Sequence, residues 1–301
     1  MATYLLTGGT GLIGRAISEK LLGKGHQVII LSRDIDKVGR LFSNKVTAID
    51  DLQQISAAQQ IDIVINLAGA PIADKRWSEK QKRILRDSRI GLTKQLVDWF
   101  HQRSQKPNAL ISGSAVGWYG DQQADIVTEH SDYHDDFAHQ LCEDWEQAAL
   151  AANKQNIRVA IVRTGLVVSA DGGFLSKMLL PFKLGLGGPI ADGQQYMPWI
   201  HLDDISNLFL FLAEHDSANG VFNGTAPNPV TNSEFTKTLA SVLNRPAIFR
   251  VPACVLKTAL GEMATLLLGG QRAIPEKARA AGFDFKYTAL RPALEAVQAK
   301  N

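Results

Sequence analysis

A chain of 301 residues, 45% hydrophobic and 21% charged, has room for one large domain, or a main domain with a smaller companion, around a buried core. Its 32 Lys and Arg against 30 Asp and Glu leave a net charge of +2, with both signs interspersed, so charge gives no case for nucleic acid or a membrane surface. The two cysteines, Cys142 and Cys254, lie far apart and form no CxxC unit, which argues against a disulfide framework and suits a reducing compartment.

Short apolar, β-branched runs alternate with stretches of helical period. Residues 2–8 (ATYLLTG) read as a strand and 12–25 (LIGRAISEKLLGKG) as a helix ended by Gly23 or Gly25. Further strands are predicted at 26–33 (HQVIILSR), 45–49 (KVTAI) and 61–69 (IDIVINLAG). Residues 78–102 have helical period, with Ser78 as N-cap. A fifth strand at 108–114, a helix at 137–153 and a sixth strand at 157–165 follow. Strands this apolar are buried on both faces, and their alternation with helices implies a doubly wound parallel α/β sheet with right-handed crossovers.

After Gly165 the rhythm breaks into a Gly- and Pro-rich stretch at 171–198, then a helix at 202–214 and a strand at 220–224. The main domain is expected from 1–170 and 199–225. Residues 171–198 and 226–301 are expected to form a smaller lobe over the C-terminal strand ends, where such sheets bind ligands. No apolar run reaches the roughly 18 residues a membrane helix needs. No basic, apolar leader precedes the first strand, and a soluble, cytoplasmic protein is expected.

The first strand and helix are joined by TGGTGLIG. Gly-rich turns join many strands to helices, but this one opens a βαβ unit, and the spacing of Gly8, Gly11 and Gly14 lets backbone approach a pyrophosphate. After Thr10 and Gly11, a helix starting at Leu12 and Ile13 turns its free N–H groups and positive dipole end toward that charge. Dinucleotide binding is the expectation. The second strand ends in Ser32-Arg33, where an NAD-binding fold carries an acidic residue for the ribose 2′-OH; Asp34 stands one place further on. A hydroxyl beside a guanidinium suits a 2′-phosphate, so NADP(H) is the expected cofactor, against the plainer reading of Arg33 as a surface charge.

These residues resemble the extended short-chain dehydrogenase/reductase superfamily, which contains nucleotide-sugar epimerases and dehydratases. TGGTGLIG, INLAG (65–69), SGSAVGWYG (112–120) and the segment around IHLDD (200–204) carry the resemblance. Together with LSR, NLAGAPI, RW, SRI, WE and PWIHLDD, they make the chain similar, more narrowly, to an uncharacterised epimerase-family subgroup. Residues 261–287 resemble the C-terminal domain of unknown function of that subgroup.

The resemblance implies a Rossmann fold, contacts from Ser32 and Arg33 to the 2′-phosphate side, and Leu67, Ala68 and Gly69 along the cofactor. Arg89 of SRI either reaches the cofactor or is one more exposed charge in KQKRILRDSR. Oxidoreductase or isomerase chemistry is implied too, through a Ser or Thr, a Tyr, and a Lys four residues beyond it that lowers the Tyr pKa. Here the chain departs from the pattern. With Glu146 in the acidic place of DDFAHQLCEDWE, Ala138 and Cys142 stand where the Tyr and Lys belong, and Tyr133 is followed four residues on by Phe137.

Ser114 matches the catalytic hydroxyl and Tyr119 offers a phenol, so these two are the candidate catalytic residues, each with a plain structural alternative. HSDYHDDFAH (130–139) gathers three His and three Asp, but its spacing matches no metal motif, and Asp at a helix start has a dipole explanation; no metal is expected. His201 orders the pocket or is a satisfied structural histidine. No GxSxG or HExxH unit is present. Two functions stay open: an NADP(H)-dependent oxidoreductase or epimerase-like enzyme acting on a small hydroxyl or carbonyl substrate, and a non-catalytic NADP(H)-binding regulatory or scaffold protein. A homodimer through the helices at 78–102 and 137–153 is likewise open.

Overall fold

The computed structural model describes residues 1–299. In chain order the first half contains β1 (Thr3–Thr7), α1 (Leu12–Gly23), β2 (Gln27–Leu31), α2 (Ile35–Phe42), β3 (Thr47–Ile49), β4 (Ile63–Asn66), α3 (Glu79–Arg86) and α4 (Leu92–His101). Next come β5 (Ala109–Ala115), β6 (Ile126–Val127), α5 (Phe137–Leu150), β7 (Arg158–Thr164), β8 (Leu166–Val168) and α6 (Gly173–Lys183). They are followed by β9 (Tyr196–Met197), β10 (Trp199–His201), α7 (Leu202–Glu214) and β11 (Gly220–Gly224). The remainder holds β12 (Val230–Thr231), α8 (Asn232–Leu243), α9 (Ala253–Leu260), α10 (Thr265–Leu268), β13 (Arg272–Ala273), α11 (Glu276–Ala280) and α12 (Leu290–Ala299).

Seven strands make one sheet in the order β11-β7-β5-β4-β1-β2-β3, and every neighbouring pair is parallel. The expected α/β Rossmann architecture is present. Successive side chains of a strand point to opposite faces, and here both faces are covered. Leu6 of β1 enters one core with Ile17 of α1 and Phe209 of α7, while Leu5 enters the other with Leu96 and Phe100 of α4. Strand order reverses between β1 and β4, and a doubly wound sheet opens its binding crevice at such a point.

The predicted helix over 78–102 contains a π-helical turn at Asp87–Gly91 between α3 and α4. The Thr93 hydroxyl donates to the Arg89 carbonyl at 2.7 Å, and π turns of this kind recur at functional sites. The predicted strand over 61–69 stops at Asn66: the Leu67 amide makes a last bond to the Thr7 carbonyl at 3.2 Å, and the amides of Leu67 and Ala68 both turn to the Thr7 hydroxyl, each at 3.1 Å.

A third core holds Leu175 and Phe182 of α6, Trp199 of β10, Phe235 and Leu239 of α8 and Leu294 of α12. The tail is shared between this core and the α1/α7 side of the sheet. Phe283 and Phe285 pack into the main core beside α7. The buried Asp204 carboxylate accepts the amides of Lys286 and Tyr287, both at 2.9 Å. Burial pushes the Asp204 pKa up against the pull of those two amides.

Candidate functional site

The glycine loop is backbone packed on backbone. Gly8 has φ +69°, and a Cβ there would stand 2.7 Å from the Leu67 carbonyl carbon. At Gly14 a Cβ would lie 2.3 Å from the Gly8 oxygen. The Gly11 amide donates to that same oxygen at 3.0 Å, and α1 then begins with no side-chain cap, leaving its first turn of amides for a ligand.

Two cavities meet at this loop. One, of about 840 Å³, is lined by Gly8, Thr10, Gly11, Ser32 and Arg33, and by Leu67, Ala68 and Gly69 at the end of β4. The other, of about 360 Å³, is lined by Leu12 and Ile13 from α1, and by Leu166 and Phe174 from the smaller lobe. Gly8, Gly11 and Leu67 line both, so one cleft crosses the C-terminal ends of β1 and β4.

At the β2 end, the Asp34 side chain accepts the Lys37 amide at 2.8 Å as the N-cap of α2. That carboxylate is occupied by its own helix, while Arg33 beside it is exposed and lines the larger cavity. Arg89 lies behind Gly69, whose Cβ, if it had one, would be 2.8 Å from the guanidinium carbon. It donates to the Leu85 carbonyl at 3.3 Å and stands 5.3 Å from the Trp145 ring. Burial pulls the Arg89 pKa down, and no carboxylate among the described residues compensates.

Several lining residues escaped the sequence reading. Asp50, Asp51 and Leu52 line the larger cavity directly after β3, and Ser88, Gln95 and Trp99 face it from the helical side. The signal for the first group was a strand-end position equivalent to Ser32-Arg33, obscured because β3 is three residues long. Beneath the cleft runs a buried polar chain. Thr7 donates to Asn66 at 2.7 Å, Asn66 to Thr93 at 2.8 Å, and the Trp145 indole to Thr93 at 3.1 Å. It ties the ends of β1 and β4 to the π turn that carries Arg89.

Ser114, near the end of β5, is 5% exposed and on the lining of neither cavity, and it donates to Glu146 Oε1 at 2.6 Å. Glu146 of α5 is in turn gripped by Arg163 of β7 through two hydrogen bonds of 2.8 Å. The pair is 3% and 4% exposed, and the guanidinium carbon sits 3.4 Å from the Trp118 ring centroid. Burial pulls the Arg163 pKa down, yet the hydrogen bonds and charge of Glu146 outweigh it and raise the pKa.

Tyr119 departs from expectation. It is 0% exposed, its hydroxyl donates to Asn223 Oδ1 at 2.7 Å, and burial pushes its pKa to about 12. The 3₁₀ turn Val116–Tyr119 carries the phenol toward β11, where Asn223 lies, and not into the cleft. A phenol so placed holds the fold and has no access to a reacting oxygen. On α5, Ala138 abuts Gly117, where a Cβ would come within 3.2 Å of the Ala138 methyl. The Cys142 thiol lies against Ser114 and the Ala115 backbone, its pKa pushed to about 12 by burial. The helix therefore presents a methyl and a neutral thiol beside the β5 end, where the family pattern has a phenol and an ammonium.

The histidine-rich segment is locally satisfied. The His139 ring lies 2.6 Å from the Trp118 carbonyl and stacks on Tyr133 at 3.7 Å, while Asp136 caps α5. Among the described residues no group of three His, Cys, Asp or Glu converges as metal ligands. His201 caps α7, accepting the Asp203 amide at 3.0 Å, with its ring 4.1 Å from that of Tyr287.

The chain matches the NAD dependent epimerase/dehydratase family over residues 4–223 and a domain of unknown function, DUF1731, over residues 251–297. It is 39% identical to an epimerase family protein of Arabidopsis thaliana, the chloroplastic SDR39U1 homologue, over 98% of this chain and 86% of that one. The epimerase family protein SERP0438 of Staphylococcus epidermidis is 38% identical over 98% of both. Among solved structures, human epimerase family protein SDR39U1 (isoform 2), crystallised with NADPH, superposes with a TM-score of 0.89 at 32% identity, over 99% of this chain and 100% of that one. UDP-glucose 4-epimerase of Thermotoga maritima, at 18% identity and a TM-score of 0.80 over 99% of both, shares the fold. With these matches spanning most of its length, the chain belongs to the NAD-dependent epimerase/dehydratase family of extended short-chain dehydrogenases, in the branch that carries DUF1731.

Proposed function

We propose that the chain binds NADPH across the two cavities and holds the oxygen of a small hydroxyl or carbonyl substrate at Ser114, in the cytoplasm. The observation that carries the binding reading is the cradle itself. Backbone at Gly8 and Gly14 leaves no room for a Cβ, α1 opens uncapped onto it, and Arg33 lines the same cavity while Asp34 is locked in its own helix. The human relative crystallised with NADPH supports it. NADPH bound there would supply a hydride to a carbonyl carbon. The role of Ser114 follows from its partner. Its hydroxyl donates to Glu146, so Oγ accepts a hydrogen bond from a substrate hydroxyl, and it holds a carbonyl oxygen only by turning that proton from Glu146 to the substrate.

A second reading, NADPH binding without turnover, is favoured by Ala138 and Cys142 at the places of the phenol and ammonium. One experiment separates the two. The purified protein is given NADPH deuterated at the nicotinamide C4, and a panel of carbonyl compounds and nucleotide sugars. Turnover that disappears in Ser114→Ala, with NADPH affinity kept, is the expected result for the enzyme. Binding with neither oxidation nor label exchange on any member leaves the second reading.

Arg89→Met is expected to split stability from binding. A desolvated guanidinium without an acid partner is costly, so the free protein gains about 0.5–2 kcal/mol. NADPH affinity falls by roughly 1.5–3 kcal/mol, the contribution of a charged hydrogen bond. Denaturant melts and NADPH fluorescence titration read the two effects. A variant that loses stability and keeps its affinity would place Arg89 outside the site.

A further inference from the structure

The balanced charge of the chain hides a strong local asymmetry. Residues 172–191 and 235–261 contain Lys177, Lys183, Lys237, Arg245, Arg250 and Lys257 and no Asp or Glu, a charge of +6 that leaves −4 on the rest of a +2 chain. The two segments lie side by side. The Phe249 amide donates to the Gly187 carbonyl at 3.1 Å, the Val251 amide to Pro189 at 3.0 Å, and Arg245 Nε to the Lys183 carbonyl at 3.0 Å. Along this seam Leu180, Leu184, Leu186, Ile248 and Phe249 stand in solvent, between 51% and 76% exposed. Lys183, Arg245 and Arg250 are exposed among them, and none meets a carboxylate among the described residues. The apolar side chains line neither of the two cavities of the cleft.

We propose that this seam docks the protein peripherally on an anionic membrane surface. Its aliphatic side chains enter the boundary between headgroups and acyl chains, and its cations meet lipid phosphates. Lys177 pairs with Asp74 at 2.6 Å, but Lys183, Arg245 and Arg250 are left to select an anionic partner and to disfavour a second copy, which would bring the same cations against them. The composition selects lipid over an acidic protein. Protein hot spots centre on Trp, Tyr and Arg seated in pockets, with Leu and Val under-represented. Leu, Ile and Phe interleaved with Lys and Arg is the pattern of interfacial binders, which need no matching pocket. No helix among the described residues is long and apolar enough to cross a membrane, so the contact is with the surface alone. The proposal is independent of the cofactor reading.

The test is cosedimentation of the full chain with phosphatidylcholine vesicles, with and without phosphatidylglycerol, at low and high salt. Binding is expected to vesicles with phosphatidylglycerol, to weaken as salt rises, and to be lost on neutral vesicles. Lys183→Gln with Arg250→Gln is expected to reduce partitioning about thirtyfold, roughly fivefold for each charge near the surface. Leu184→Ser with Ile248→Ser is expected to reduce it at least about tenfold through the lost apolar burial. All four side chains are exposed, so melting temperature and NADPH affinity of both variants should stay unchanged and exclude misfolding. Failure of the unaltered chain to bind phosphatidylglycerol vesicles at low salt overturns the proposal, including the case where an acidic protein takes the seam instead. Vesicle binding that survives Leu184→Ser with Ile248→Ser undiminished overturns it too.

Discussion

Glu146→Gln is expected to lower the unfolding free energy by about 3–5 kcal/mol, the cost of removing one partner from a buried ion pair. A folded domain holds about 5–15 kcal/mol in all, so this change takes a large share of it. The reason is Arg163. Its guanidinium is 4% exposed and is compensated by Glu146 through two bonds of 2.8 Å, while its Nη1 finds no hydrogen-bond partner among the described residues. Trp118, stacked at 3.4 Å, stabilises the cation from one face but offers no formal negative charge. Gln keeps the shape and its oxygen still accepts from Ser114 and Arg163 Nε, but its NH2 faces the Arg163 Nη2 donor, so the loss combines the charge with one hydrogen bond. The companion double variant, Glu146→Gln with Arg163→Met, is expected to recover most of it, because a buried ion pair exchanged as a unit is often near neutral. Denaturant unfolding of the single and double variants reads both. A single-variant loss under about 1 kcal/mol, the level of a surface pair, would show that Arg163 finds water in solution.

What could be read from residues alone was what depends on near neighbours. Within TYLLT the run YLL is apolar at successive positions because Leu5 and Leu6 serve two different cores, and the loop after it has its glycines where backbone meets backbone. Arrangements set by distant partners were hidden. Tyr119 sits five residues from Ser114 and reads as its neighbour, yet its direction is decided by Asn223 on another strand. Asp204 reads as part of a family motif near the pocket, and its carboxylate is spent on the amides of Lys286 and Tyr287. The tail they belong to was therefore assigned wholly to the small lobe, although Phe283 and Phe285 return to the main core. The π turn at Arg89 was likewise invisible, since a helix with one widened turn keeps its apolar period on both sides.

Arg33→Ala is expected to weaken NADPH by about 1.5–3 kcal/mol, roughly tenfold to 150-fold, and to leave NADH within about twofold. The 2′-phosphate is the group that separates the two cofactors, and the end of β2 is where this fold reads it. Every carboxylate close to that end is engaged elsewhere. Asp34 caps α2 at 2.8 Å, Asp51 accepts the Gln53 amide at 2.9 Å, and Asp50 accepts the Gln54 side chain at 2.8 Å. Asp50 and Asp51 each keep a second oxygen that a 2′-hydroxyl could use, whereas the charge of a 2′-phosphate is met by the exposed Arg33 guanidinium, which forms no ion pair among the described residues. Ser32 adds a hydroxyl held in the turn by Asp34, whose amide donates to it at 3.2 Å. Arg33→Lys separates charge from geometry. A lysine keeps the charge and loses the planar fork, so it should restore part of the NADPH affinity and not all of it. Fluorescence titration of both cofactors against the three proteins reads the result. Equal affinity of the unaltered protein for NADPH and NADH would remove Arg33 from the phosphate and leave the β2 end without a role in cofactor choice.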